Sequence, residues 1–121
     1  MIRGVRGAIT VSGNTEEEIV AAAERLLREV IRENSISPDS VASVLISVTQ
    51  DINAAFPAKA LRRIDGWVYV PVMCVQEIPV PGSLPMCIRA MFHVNTDAGQ
   101  DQIKHIYLEG AKVLRPDLLQ K

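Results

Sequence analysis

The charged residues best placed to do chemistry are those set among apolar neighbours. Arg3 and Arg6 lie between glycines in "IRGVRGAITV", Arg89 lies in "CIRAMF", and Glu77 follows Cys74 in "VPVMCVQE". An unpaired buried charge is costly, so each must meet an opposite charge, reach water or bind a ligand. Taken from the residues alone, Arg89 and Glu77 could simply pair with each other, or Arg89 could receive an anion. Arginine suits the second task because its charge is permanent and its planar fork grips a carboxylate. No phosphate loop, GxSxG elbow, HExxH or Ser-His-Asp arrangement is visible. Cys74 and Cys87 fit no zinc spacing and read as small core thiols, and His93 and His105 suggest no metal site.

Composition limits what these charges can belong to. The 121 residues make one domain, 1–121, long enough to bury a core. Hydrophobic residues are 48% of the chain and aromatics only 4%, so Val, Ile, Leu and Ala must do most of the packing. A net charge of −1 supplies no footprint for nucleic acid or an anionic membrane. The segment from Asn14 to Asn34 holds six Glu and three Arg, which leaves the rest of the chain mildly positive and open to an anionic small ligand. With neither a long uncharged apolar run nor a signal-peptide core, a cytoplasmic location is expected.

The elements that must position the charges follow from periodicity. Ile2 to Val11 reads as a strand, in which Gly4 and Gly7 imply close backbone approach or a bulge. Its alternation puts Arg3 opposite Arg6, in the service of the fold or an interface. "NTEEEIVAAAERLLREVIREN" is the clearest helix, with capping-box spacing from Thr15 to Glu18 and an apolar stripe through Ile19, Ala23, Leu26, Leu27 and Val30. Glu24 with Arg28, and Arg25 with Glu29, lie one turn apart on its outer face. Ser37 and Pro38 open a single turn. "VASVLISVTQ" is a strand, Pro57 forces Phe56 extended ahead of a short helix toward Ile64, "WVYVPVMCV" is a third strand and "CIRAMFHVN" a fourth. "IKHIYLEGAKVL" fits helix or strand equally, and "RPDLLQK" resembles a last helical turn.

In order along the chain, "RGVRGA", "FPAKA", "PVMCVQE", "CIR", "QDQIKHIYLE" and "VLRPDL" resemble the monofunctional trimeric chorismate mutases of mixed α/β structure. The resemblance covers essentially the whole chain. It implies an α+β fold, a mixed β-sheet with helices packed on one face, and a homotrimer forming a pseudo-α/β-barrel with active sites between subunits. It also settles the ambiguous segment toward a strand. The implied reaction is the rearrangement of the chorismate dianion to prephenate, which needs neither metal nor cofactor.

Carried over residue by residue, the resemblance assigns Arg89 to the ether oxygen and side-chain carboxylate. Arg6 would grip a carboxylate with Tyr107 beside it, and Glu77 would accept from the ring hydroxyl with Cys74 close to the same group. Phe56, Ala58, Val72, Met73 and Leu114 would line the cavity, and Lys59, Arg62 and Arg115 would form its positive mouth. Tyr107 read by itself is a half-buried aromatic, and the three mouth cations read by themselves are ordinary surface charges. Met73 stands where a small polar residue is common, and Arg62 precedes Arg63 where an acidic neighbour is common, so either arginine could face the ligand. Two rivals share the outline: a trimeric imine or enamine deaminase, and a non-catalytic trimer that binds an anionic metabolite.

Overall fold

In a computed structural model of the chain, which describes residues 1–114, the elements are β1 (Ile2–Thr10), α1 (Glu16–Glu33), β2 (Val41–Val48), β3 (Val72–Gln76), β4 (Cys87–Asn95) and β5 (Ile106–Leu108). Short 3-10 segments occupy Pro38–Ser40, Pro57–Arg63, Gln100–Gln102 and Glu109–Leu114. Helix α1 starts where its sequence directs. The Thr15 hydroxyl accepts from the Glu18 backbone N–H at 3.2 Å, while the Glu18 carboxylate takes hydrogen bonds from Thr15 and Ser12 instead of closing the second half of a capping box. Ile19, Val20, Ala23, Leu26, Leu27 and Val30 are all buried beneath it. Burying a side chain of this kind is worth about 1.5–3 kcal/mol, so this stripe is what docks the helix.

The sheet has the order β3-β2-β4-β1-β5, with β2–β3 and β1–β5 parallel and the central pairs antiparallel. It is a mixed sheet covered on one face, as expected. The pairing of β1 with β4 is unbroken from Ile2 opposite Asn95 to Thr10 opposite Cys87, so the glycines make no bulge there. Gly7 serves close approach, because a Cβ on it would come within 2.8 Å of the Val30 side chain and 3.0 Å of Leu26.

Paired residues of neighbouring strands project to the same face, so the sheet divides into rows. Toward α1 run Cys74–Ile46–Ala90–Gly7–Ile106 and Val72–Val44–Phe92–Val5. Toward the opposite, open face run Val75–Ser47–Arg89–Ala8–Tyr107 and Met73–Leu45–Met91–Arg6. Arg3 and Arg6 do fall on opposite faces, and the Arg3 Nε donates to the Ala98 carbonyl at 3.2 Å.

Three expectations change. The third strand begins at Val72 and not at Trp67, because the chain from Trp67 to Val70 turns: the Val70 N–H bonds the Trp67 carbonyl, Trp67 packs edge-on against Phe92 at 5.8 Å, and Tyr69 is 94% exposed. Arg25 pairs with Glu109 at 2.6 Å, leaving Glu29 to Arg32, while the Glu24–Arg28 pair forms at 2.9 Å. The ambiguous segment is a strand for only three residues and then a 3-10 turn, entered through Glu109 at a positive φ of 52°. Arg115 and the last turn expected after it lie outside the described residues.

Candidate active site

The row that crosses all five strands on the open face holds three of the candidate residues or their neighbours. Arg89 lies between Ser47 and Ala8, and Tyr107 follows Ala8. Glu77 comes directly after β3, and its N–H continues the ladder by donating to the Val48 carbonyl at 2.9 Å. Alternation therefore persists past the end of the strand and brings the Glu77 carboxylate round to the Arg89 side. Its Oε2 lies 3.4 Å from the Arg89 Nε and accepts a short hydrogen bond from the Ser47 hydroxyl. The two charged side chains are 34% and 24% exposed, so the pair is sheltered without being sealed.

Two atoms in this row are left over. The Arg89 Nε and the Tyr107 hydroxyl are both buried, and neither makes a hydrogen bond among the described residues. The Nε keeps only its 3.4 Å ionic contact with Glu77, the hydroxyl is a buried donor left unsatisfied, and both lie on the face that α1 leaves open. Around them Ala8, Cys87, Tyr107 and Ala111 form a small second core, with Leu84 and Leu114 packed against it. Burial raises the Cys87 thiol pKa, with the Arg89 guanidinium acting in the opposite direction. Arg6 stands one row further along the same face, and its backbone N–H is held by the His105 Nδ1 at 3.0 Å.

The other assigned residues collect elsewhere. Phe56, 70% exposed, and Lys59 line a hollow of about 460 Å³ with Cys74, Val75 and Gln76. Ala58 and Val72 are half-buried in the packing beside it. Burial also raises the Cys74 thiol pKa, opposed by a hydrogen bond with the Ala58 backbone. Cys74 and Glu77 thus point to opposite faces of β3, with no bulge turning one toward the other. Because β3 is an edge strand, both faces are within reach of a ligand lying along its outer edge. Met73, 64% exposed, belongs to the open face and not to the hollow.

At the mouth the two arginines separate cleanly. Arg63 is held against α1 by Glu24 at 3.5 Å, whereas Arg62 is exposed and has no ion pair among the described residues. Lys59 is paired with Glu16 at 2.7 Å. Ser47, which fixes the Glu77 carboxylate, was invisible in the sequence, since only the pairing of β2 with β4 puts that serine beside Arg89.

Comparison with known proteins identifies the family. The family model described as chorismate mutase type I matches residues 2–118. The chain is 55% identical to chorismate mutase AroH of Bacillus subtilis over 118 residues, covering 98% of this chain and 93% of that protein. It is 48% identical to chorismate mutase AroH of Thermus thermophilus over 119 residues, covering 98% and 97%. A solved chorismate mutase from Clostridium thermocellum superposes with a TM-score of 0.88 at 51% identity, over 92% of this chain and 98% of that one. The chain belongs to the chorismate mutase type I family.

Proposed function

We propose that the protein converts chorismate to prephenate, a step toward the aromatic amino acids, in the cytoplasm and as a homotrimer whose active sites are shared between neighbouring subunits. One C–O bond breaks as one C–C bond forms within a single dianion, so no nucleophile, proton or electron has to be supplied. The protein can help by folding the enolpyruvyl side chain over the ring and by placing positive charge where the ether oxygen gains electron density.

Arg89 does the second. Its guanidinium is aimed by Glu77, and Ser47 in turn steadies Glu77. The guanidinium held half-sheltered on the open face, 34% exposed and with the Glu77 carboxylate 3.4 Å from its Nε, is the observation that carries this reading, since it supports a fixed positive charge turned toward a ligand. Arg6 and the Tyr107 hydroxyl take a carboxylate from the same face, and Leu114 closes one wall. The Glu77 carboxylate accepts from the ring hydroxyl, and Cys74 approaches that group from the other side of the β3 edge. Phe56, Ala58, Val72 and Met73 supply apolar wall, while Lys59, Arg62 and Arg115 draw in the dianion.

The placement of these two groups supports a shared site. The hollow at Phe56, Lys59 and Cys74 is not lined by Arg89, Arg6 or Tyr107, so one chain offers two half-sites. The open face also exposes Leu45, Met73 and Val75, at 39%, 64% and 43%, as a second copy docking there would require. The test is direct. Chorismate absorbance should fall on adding the protein without metal or cofactor, and sedimentation should give the mass of three chains. Mixing inactive Arg89→Ala with inactive Lys59→Glu should restore part of the activity, because mixed trimers contain some intact sites. No recovery after subunit exchange would refute the shared site, and binding without turnover would favour an anion-binding regulator.

A further inference from the structure

Two acidic residues of α1 face the 3-10 segment Pro57–Arg63, and they are tied to it differently. Glu24 holds both Arg28, at 2.9 Å, and Arg63, at 3.5 Å, and its side chain is only 26% exposed. Glu16 has one ion pair among the described residues, to Lys59 at 2.7 Å, and the two side chains are 55% and 54% exposed. The first cluster fastens the segment to the helix. The second is a single solvated pair, of a kind that contributes little to stability and opens readily.

Glu16 also lies where a carboxylate is least expected to help an anion. It lines the same hollow as Phe56, Lys59 and Cys74, at the mouth through which a dianion would pass. Its pKa is lowered by the hydrogen bond and charge of Lys59, so it stays ionised there. It sits in the first turn of α1, whose positive end accommodates its charge whether or not Lys59 is engaged.

Resting on the placement of Lys59 at the substrate mouth, we propose that Glu16 is a resident counter-ion of Lys59, displaced by a carboxylate of the substrate and competing with the product for the same ammonium. Lys59 then exchanges one carboxylate for another, so its attraction steers the dianion in without holding either substrate or product tightly. Uniform tightening of both would slow product departure and add nothing to the chemical step.

The deciding variant is Glu16→Gln, which keeps the shape and removes the competing charge. KM and the inhibition constant of prephenate should fall together by about threefold at low ionic strength, and the difference from the parent should vanish near 0.5 M salt. The effect should shrink in a Lys59→Ala background, because Glu16 acts through that ammonium. An unchanged KM would overturn the proposal. A raised KM would do so as well, since it would make Glu16 a brace that presents Lys59 to the substrate. Lys59→Ala separates the two levels of the argument. If it leaves KM unaltered, the placement of Lys59 fails and the counter-ion role falls with it. If it raises KM while Glu16→Gln does not lower it, only the counter-ion role fails.

Discussion

The two faces of the sheet are closed in opposite ways. Under α1, Val5, Ile9, Val44, Ile46, Ile88 and Phe92 are sealed by hydrocarbon, and the nearest ion pairs stay on the outer surface of the helix. On the open face, Arg89 and Glu77 stand among Ala8, Met91 and Leu45, two buried polar atoms make no hydrogen bond among the described residues, and apolar side chains meet water. Each β4 residue faces one environment while its neighbour in sequence faces the other. Stability is concentrated on one side of a single strand and the proposed chemistry on the other, so a substitution that respects the alternation should disturb only one of them.

The largest test of that separation lies under the helix. Leu26→Ala removes a fully buried side chain packed over Gly7 and should lower unfolding free energy by about 2–5 kcal/mol. Denaturant melts would measure the loss, and turnover per folded subunit should stay near that of the parent. A large change in kcat of the folded fraction would show that the faces are not independent. Arg89→Ala tests the converse. Turnover should drop by about 10²–10³, as when a preorganised donor is removed, with the melting temperature nearly kept. Its loss also frees Glu77 of a partly buried partner, so a small gain or loss in stability is compatible with the argument. Near-parental turnover is not.

How legible these faces were in the sequence depends on the kind of signal. Helix α1 and β4 were readable to within a residue or two, because capping chemistry and a strict apolar period specify them. The charges of Arg6, Glu77 and Arg89 stood out as misfits in apolar strands, and six motif blocks in order were enough to name the family and set aside the deaminase alternative. Pairings across the chain were not readable. Ser47 beside Arg89, Arg25 with Glu109 and Glu16 with Lys59 join residues 42 to 84 positions apart through sheet register and helix docking. The start of β3 was also misplaced, since "WVYV" has strand composition while the turn closed by Trp67 depends on Phe92, a distant residue.

Smaller effects belong to the mouth. Arg62→Ala should raise KM by about two- to fivefold at low salt, because an exposed and unpaired cation contributes screened attraction only. Arg63→Ala should leave KM where it is and act on melting instead, through its link to Glu24. Steady-state kinetics on the two variants would decide which arginine faces the ligand, and the opposite ranking would contradict the assignment.

The smallest expected effect is a pH response that does not appear. Cys74 borders the proposed ligand from the far side of β3, and burial raises its pKa more than the Ala58 backbone hydrogen bond lowers it. A raised thiol pKa means that the neutral form persists to higher pH than in a solvated cysteine, so from neutral to mildly alkaline pH the group should carry less charge than a solvated cysteine does. Since the rearrangement moves no proton, turnover should be nearly flat over that interval, and Cys74 should alkylate slowly in it, accelerating only on the alkaline side. Cys87, fully buried behind Tyr107, should resist alkylation until the chain unfolds. A bell-shaped profile centred near neutrality would point to acid–base chemistry. Rapid alkylation of Cys74 at pH 7 would indicate a thiolate in the site, and with it a stronger pull from the Lys59 ammonium, which lines the same hollow, than the burial of the thiol allows.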